Sequence, residues 1–259
     1  MAVHATAIVA PGAAIHPEAE IGPYAIIGDG VTIGAGTTVG AHAVLEGPTT
    51  IGEKNRIHPH AAIGGPPQDL KYRGEPTTLV IGHRNVFREF STAHRGTVTG
   101  HRTTVIGDDN LFMAYSHVAH DCVVGHRTVF ANYVGLAGHC LVEDDAVLGA
   151  YVGVRQFLRI GRHAFLGAFT AVNRDALPFC WTSGDRDARA WKVNSVGLSR
   201  KGYSDERIKS LQKAYRILHH HRHDQKALVA ALAELSAVSE DVKILHDFIT
   251  SSTQGIHGA

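Results

Sequence analysis

The stretch His117-Val118-Ala119-His120-Asp121 gathers two imidazoles and a carboxylate, and Gly138-His139 follows further along the chain. An imidazole titrates near neutral pH, an adjacent carboxylate can orient it, and a nearby backbone N–H can hold an oxyanion. The group therefore fits a general base. The chain carries 19 histidines, so adjacency fits solvated surface imidazoles as well. A zinc site recruited from His117, His120 and His139 is a third reading, weakened because His117 and His120 flank Val118 and need not point the same way. Lys71, Arg73, Arg155, Arg200 and Lys201 are candidates for phosphate contact, against solvated surface charge for each. The run His219-His220-His221-Arg222-His223 fits a solvated helix face.

What must position these groups is a repeat of six. Val9, Ile15, Ile21, Ile27, Ile33, Val39, Leu45, Ile51, Ile57 and Ile63 are all aliphatic. In a chain that is 44% hydrophobic, such an unbroken run of ten arises by chance about 3 times in 10,000. The frame continues through Ile81, Phe87 and Ala93, slips by one residue, and resumes from Ile106 to Val172. Six is neither the helical nor the strand period; it is the hexapeptide repeat of a parallel β-helix. Each hexad supplies one short strand and one turn, and three hexads close a triangular coil. Residues one coil apart then stack about 4.8 Å from one another. His139 falls one coil and one position beyond His120, which puts it near His120 on the next rung. Cys122 and Cys140 fall one coil apart and read as two packed thiols on adjacent rungs rather than as nucleophiles.

The expected fold is an all-β solenoid, a left-handed parallel β-helix over residues 1–190, the hand being that of the repeat class, followed by a C-terminal α-helical domain over 191–259. Polar interruptions near 65–78 and 94–104 read as extruded loops, the second absorbing the slip. Residues 173–201 read as irregular. Ser204, Asp224 and Ser239 are the expected N-caps of three helices that also close the last coil.

Composition narrows the function classes. With 25 Lys+Arg against 24 Asp+Glu the net charge is +1, which disfavours nucleic acid as a partner. No apolar run is long enough to offer a membrane span. Three cysteines and an N-terminus without a basic start and apolar block point to the cytoplasm.

The stretches QDLKYRGEPT (Gln68 to Thr77), HRGTV (His94 to Val98), DNLFM and SHVAHDC between Asp109 and Cys122, LAGH (Leu136 to His139), Arg155-Gln156-Phe157 and VNSVGLSRKGYS (Val193 to Ser204) carry a resemblance. Over essentially its whole length the chain resembles the acyl-carrier-protein-dependent UDP-N-acetylglucosamine O-acyltransferases, which begin lipid A biosynthesis. The resemblance implies that His120 is the general base on the sugar 3-hydroxyl, that Asp121 supports it, and that the Gly138 N–H holds the oxyanion. It implies that Asp69, Lys71, His94, His117, His139, Gln156, Asn194 and Arg200 bind UDP-N-acetylglucosamine or place the reactants. Ala168 and Met113 fall at the acyl-chain pocket. The donor would be a 3-hydroxyacyl chain on acyl carrier protein, the assembly a homotrimer, and no cofactor or metal would be needed. A basic face of Arg207, Lys209, Lys213 and Arg216 would receive the acidic carrier protein.

The chain departs from the family pattern at three places. Arg155 stands where many relatives have His, and holds its charge at any pH. Ala168 stands where many have Gly, so an added methyl would favour a shorter acyl chain. Residues 180–192 match poorly. The related N-acyltransferase of the same pathway carries a uridine-binding domain before its repeats, whereas here the repeat begins by Val9. The same reaction on a 3-amino UDP-sugar remains an alternative, as does a zinc-binding or non-catalytic hexapeptide-repeat protein.

Overall fold

A hexad has room for one very short strand and a turn, and such a strand pairs only with its equivalents in neighbouring coils. The computed structural model describes residues 2–258 apart from Arg186, Arg222 and His223. From Ala2–Val3 to Ala171–Val172, every third strand falls in the same parallel sheet, and the three sheets form the faces of a prism. Leu111–Phe112 lies on the first face, His117–Val118 on the second and Val123–Val124 on the third. Partners stand one coil apart, as in Val118 with Leu136 and Val124 with Val142. This is a parallel β-helix of hexapeptide repeats with, among the described residues, four helices at its C-terminal end.

The two interruptions are quantised by the repeat. Ile81 pairs with Ile51 where an unbroken coil would put Asp69, so the first excursion amounts to two whole hexads. Ile106 pairs with Ile81 where an unbroken coil would put Thr99, so the second amounts to one hexad plus the slipped residue. Both excursions run between a strand of the second face and a strand of the third, so both leave from the same corner of the prism.

Almost every residue of the aliphatic ladder is buried, from Ile21 to Val172. Val9 is the exception: it is 37% exposed, and Ile15 is only partly buried, because no further coil covers the first one. Each corner turns on a residue with φ near +60°, usually not glycine. That conformation crowds Cβ against the backbone and costs about 1 kcal/mol at each non-glycine position. Stacking offsets the cost. Along the first corner, between the first and second faces, Tyr24, His42, His60, Phe90, Tyr115, Tyr133, Tyr151 and Phe169 form one column with ring centroids 4.8–5.1 Å apart. Along the third corner charges alternate instead, with Arg84 on Asp109 at 2.7 Å and Arg127 on Asp145 at 3.0 Å.

Beneath the third corner runs a polar ladder that the hexad pattern does not announce. Thr37, Asn55, Asn85, Asn110 and Thr128 are buried, and each side-chain oxygen accepts the backbone N–H of the next, at 2.8–3.0 Å. Buried polar atoms are tolerated because each is satisfied by the neighbouring rung.

The segment read as irregular is organised. Cys180–Ser183 adds to the first face beside Phe165–Leu166, and Arg189–Val193 pairs with it antiparallel. Helix α1 (Ser195–Arg200), which no expectation covers, follows behind its cap Asn194. Helices α2 (Asp205–His220), α3 (Gln225–Ser236) and α4 (Glu240–Ser251) start behind Ser204, Asp224 and Ser239, as expected. They bury Ile208, Leu211, Leu232, Leu245 and Phe248 in a second core with Leu177 and Phe179. Of the run His219 to His223, Arg222 and His223 lie outside the described residues. Cys122 and Cys140 are buried free thiols.

Asn110→Ala would leave the buried Thr128 N–H and hydroxyl without the oxygen they donate to, and would remove the amide that donates to the Gly125 carbonyl. It should lower stability by roughly 2–4 kcal/mol, the cost of stranding buried polar groups. Urea denaturation checks this, and a change under about 0.5 kcal/mol, the size of a surface substitution, would show that the ladder carries little.

Candidate active site

The second corner, between the second and third faces, holds the expected catalytic group. Strand His117–Val118 turns Val118 inward, and the corner then places Asp121 at φ 59° and His139 one rung on at φ 62°. The His120 Nδ1 lies 2.9 Å from Asp121 Oδ2. An ionised carboxylate only accepts, so Nδ1 carries the proton and Nε2 is left as the basic nitrogen. His120 borders both clefts described below, while Asp121 is 1% exposed.

A buried carboxylate needs partners, and the second excursion supplies them. The Thr97 N–H donates to both Asp121 oxygens at 3.1 and 3.0 Å, and the Thr97 hydroxyl donates at 2.6 Å. The Asp121 N–H donates to Thr104 Oγ1 at 2.8 Å. A side chain at Gly100 would collide with the Asp121 carboxylate, so only glycine lets this loop lie against it. Burial works to raise the Asp121 pKa, but the bonds from Thr97 and His120 outweigh it and the net shift is downward. The carboxylate stays charged. Gly138 is the second obligatory glycine: a Cβ there would enter the His120 ring. The imidazole therefore lies directly on the Gly138 backbone, whose N–H makes no hydrogen bond among the described residues.

Around this pair stand further imidazoles. His139 is edge-on to His120 at 5.0 Å, stacks on Phe157 at 4.5 Å, and holds Nε2 3.9 Å from Asp121. His117 Nδ1 is 2.7 Å from Thr92 Oγ1, and its ring meets His94 edge-on at 4.9 Å. The His94 Nδ1 is buried with no partner among the described residues. Burial, then the nearby His117, His120 and Arg95, push the His94 pKa down to about 4.

Two clefts meet at His120. One, of about 960 Å³, is polar; Gln68, Asp69 and Lys71 of the first excursion, His101 of the second, His139 and Gln156 line it, and Thr253 and Gln254 near the C-terminus close it. The other, of about 590 Å³, runs over the second face past His117, Gly135, Gly138, Gly153 and Arg155. The expected set His120, Asp121, Gly138, Asp69, Lys71, His117, His139 and Gln156 is thus brought together within one chain.

Others lie elsewhere. Asn194 caps α1 by accepting the Gly197 N–H and donates to the His163 carbonyl at the third corner. Arg200 is exposed at the end of α1. Met113 and Ala168 sit on the first corner. Two phosphate candidates are engaged: Arg73 donates to the Leu70 and Tyr72 carbonyls within its own loop, and Lys201 pairs with Asp145 at 2.7 Å. Arg207 does not belong to the open basic face; it binds Asp241 through two 2.8 Å bonds and stacks on Tyr203. Sequence reasoning misses Thr97, Gly100 and Gln254. The one-residue slip marks the second loop but not which of its residues turn inward, and no period marks the tail.

Residues 175–257 match the family model described as UDP N-acetylglucosamine O-acyltransferase, domain 2, and residues 103–138 match the bacterial transferase hexapeptide model. The chain is 48% identical over 255 residues to the acyl-[acyl-carrier-protein]–UDP-N-acetylglucosamine O-acyltransferase of Thermodesulfovibrio yellowstonii, covering 98% of each chain. It is 48% identical over 259 residues to the protein of that name from Anaeromyxobacter, covering 99% of each. Among solved structures, the UDP-N-acetylglucosamine O-acyltransferase of Moraxella catarrhalis superposes with a TM-score of 0.95 at 40% identity, covering 99% of this chain and 100% of that one.

His94, His117, His139, His163 and His257 all have lowered pKa values, in each case first through burial. Unfolded, each takes a proton near pH 6.5; folded, each resists it. Their stability contribution is therefore complete above about pH 7 and is lost as pH falls through 6.5 toward the folded values. The urea midpoint should drop between about pH 7.5 and 5.5 with uptake of more than one proton on unfolding; a flat profile would contradict the burial of these rings.

Proposed function

The chain belongs to the acyl-[acyl-carrier-protein]–UDP-N-acetylglucosamine O-acyltransferase family, and we propose that His120 is the general base with which it performs that family's reaction. The reaction transfers a 3-hydroxyacyl chain from acyl carrier protein to the 3-hydroxyl of UDP-N-acetylglucosamine, the first step of lipid A synthesis. The observation that carries the assignment to His120 is the locked pair: Nδ1 on Asp121 at 2.9 Å, with that carboxylate fixed by Thr97 and the imidazole face laid on Gly138.

His120 Nε2 takes the proton of the sugar 3-hydroxyl, and the oxygen attacks the thioester carbonyl. The new C–O bond gives a tetrahedral oxyanion, which the Gly138 N–H receives. Asp121 stabilises the imidazolium formed at this point. Collapse breaks the C–S bond, the imidazolium returns its proton to the leaving thiolate, and the ester and the free carrier thiol depart. The polar cleft with Asp69, Lys71 and Gln156 takes the nucleotide sugar, and the groove over Gly135 and Gly153 takes the donor arm.

We infer a homotrimer, and the placement of the remaining residues supports it. His120 lies on the second corner, Met113 and Ala168 on the first, and Asn194 reaches the third. One prism keeps its own corners apart, which supports a site completed by a neighbouring subunit. Lys209, Lys213 and Arg216 on α2 receive acyl carrier protein. Among the described residues no helix is long and apolar enough to cross a membrane. We place the enzyme in the cytoplasm.

A metal centre is the second reading, because donor atoms of His120, Asp121 and His139 lie within 4.8 Å of one another. The Asp121 oxygen that would face the ion already accepts from His120 and Thr97, which leaves the donor set better matched to proton transfer.

His120→Ala should reduce turnover roughly 10²–10⁴-fold, the usual worth of a general base. Product is read by mass spectrometry with 3-hydroxyacyl carrier proteins of several lengths. Activity that survives this change, or that is abolished by a chelator, would refute the assignment. In the same competition Ala168→Gly should shift the preferred acyl chain upward; an unchanged length profile would remove Ala168 from the acyl pocket.

A further inference from the structure

The end of the chain returns to the second corner and is bound there firmly. After α4, the Ser252 hydroxyl donates to buried Asp175 at 2.8 Å, the Asp175 N–H donates to the Gly255 carbonyl at 2.8 Å, and the His257 N–H donates to the Asp175 carbonyl at 2.9 Å. His257 is 3% exposed. Its Nδ1–H donates to the Ala188 carbonyl at 2.6 Å, and its Nε2 accepts the N–H groups of Asn173 and Arg174 at 3.3 Å each. Every polar atom of the ring has a partner, so the segment is an anchored strap rather than a frayed terminus.

The strap has a working side. Between its two anchors, Thr253 and Gln254 face the polar cleft that holds His120 and His139. The Gln254 Oε1 accepts from Arg155 Nη2 at 3.4 Å. Arg155 follows Val154, which pairs with Leu136, so its backbone lies one rung, about 4.8 Å, beyond Ala137 and beside Gly138. It borders the groove on the other side of His120, next to Gln156, which borders both. Arg155 thus stands on the ridge between the two clefts. Arg73 and Lys201, which sequence placed in the same class, direct their charge within the fold. A neutral amide oxygen holding one N–H fixes the plane of the guanidinium and leaves its other donors and its full charge for a ligand.

We propose that the C-terminal strap is a wall of the active site, and that Gln254 steers Arg155 onto the diphosphate of the sugar nucleotide. The inference rests on the O-acyltransferase reading and deepens it. The diphosphate is attached at C1, two ring carbons from the 3-hydroxyl that His120 faces. An arginine rooted one rung from Gly138 can reach it while the hydroxyl is at the base. The phosphodiester of the carrier's pantetheine arm has the same chemistry, but the whole arm separates it from the thioester. A planar guanidinium matches a phosphate edge with two parallel bonds. Arg155 is the binding residue; Gln254 acts through it and is a positioning residue.

The test uses the full-length protein with Arg155→Ala, Arg155→Lys, Gln254→Ala and the Arg155→Ala/Gln254→Ala double variant. UDP-N-acetylglucosamine binding is measured by calorimetry without any donor, and initial rates are measured with each substrate varied in turn. Arg155→Ala should weaken binding and raise the KM for the sugar nucleotide roughly tenfold, one lost charge-assisted bond, with the KM for acyl carrier protein unchanged. Arg155→Lys should recover part of the affinity. Gln254→Ala should show a smaller effect of the same kind, and the double variant should be no worse than Arg155→Ala. A rise confined to the carrier-protein KM would assign Arg155 to the pantetheine phosphodiester and overturn the proposal. So would unchanged nucleotide affinity in both single variants, or a Gln254→Ala protein identical to wild type. Wild-type protein that binds the nucleotide tightly and depends on Arg155, yet transfers no acyl chain, would refute the reaction while leaving the phosphate contact standing.

Discussion

The short strands of the prism have no partners within their own coil, so every backbone bond on a face goes to the rung above or below. The coil-to-coil register is the constraint on which the rest depends. It sets the aliphatic ladder inside, and it stacks like positions at the corners. It also forces the corner residue into a left-handed conformation that rings and ion pairs then stabilise. The three corners answer the same geometric demand with different chemistry: an aromatic column on the first, alternating charge on the third, and on the second Asp121, His139 and Phe157. The second corner is an ordinary corner in its backbone. What distinguishes it is that both excursions and the C-terminal strap converge on it.

That convergence accounts for a carboxylate that is almost fully buried and still charged. Desolvation alone would neutralise Asp121 and release the His120 ring from its orientation. Three bonds from Thr97 hold the charge in place, and they exist because the second excursion folds back under the corner with glycine at residue 100. A rigid prism positions the His120 imidazole, and a loop with no period of its own fixes the electrostatics beside it.

The fold was largely legible in the sequence because a ladder residue is chosen by burial, and burial recurs with every hexad. The helix caps at Ser204, Asp224 and Ser239 were legible for a similar reason: a short polar side chain before an apolar stripe has one structural use. That His120, Asp121 and Gly138 meet at one corner was legible because His120 and Asp121 are adjacent in sequence and Gly138 follows at one coil's distance. Thr97 and Gln254 were not, since their partners are distant in sequence and nothing local in either residue implies the contact. The antiparallel pair Cys180–Ser183 and Arg189–Val193 escaped because period-two signals are weak in such short strands beside a poorly patterned turn. The asparagine ladder escaped because Asn in a turn usually reads as solvated. Arg207 was misjudged by counting charge without seeing that Asp241 is buried beneath it.

The two excursions differ in more than size. The first adds whole hexads and returns the chain in the same frame; the second adds a hexad and one residue, and shifts every later inward position by one. On an unbroken stretch of hexads that extra residue would turn each following aliphatic side chain outward. Here it vanishes within the loop, and Ile106 takes up the ladder directly above Ile81. The second corner therefore works as a reading-frame adjuster for a modular chain. Material of arbitrary length can enter there without altering what any downstream rung presents. A solenoid of this kind can vary the loops around His120 while the track that carries it stays fixed.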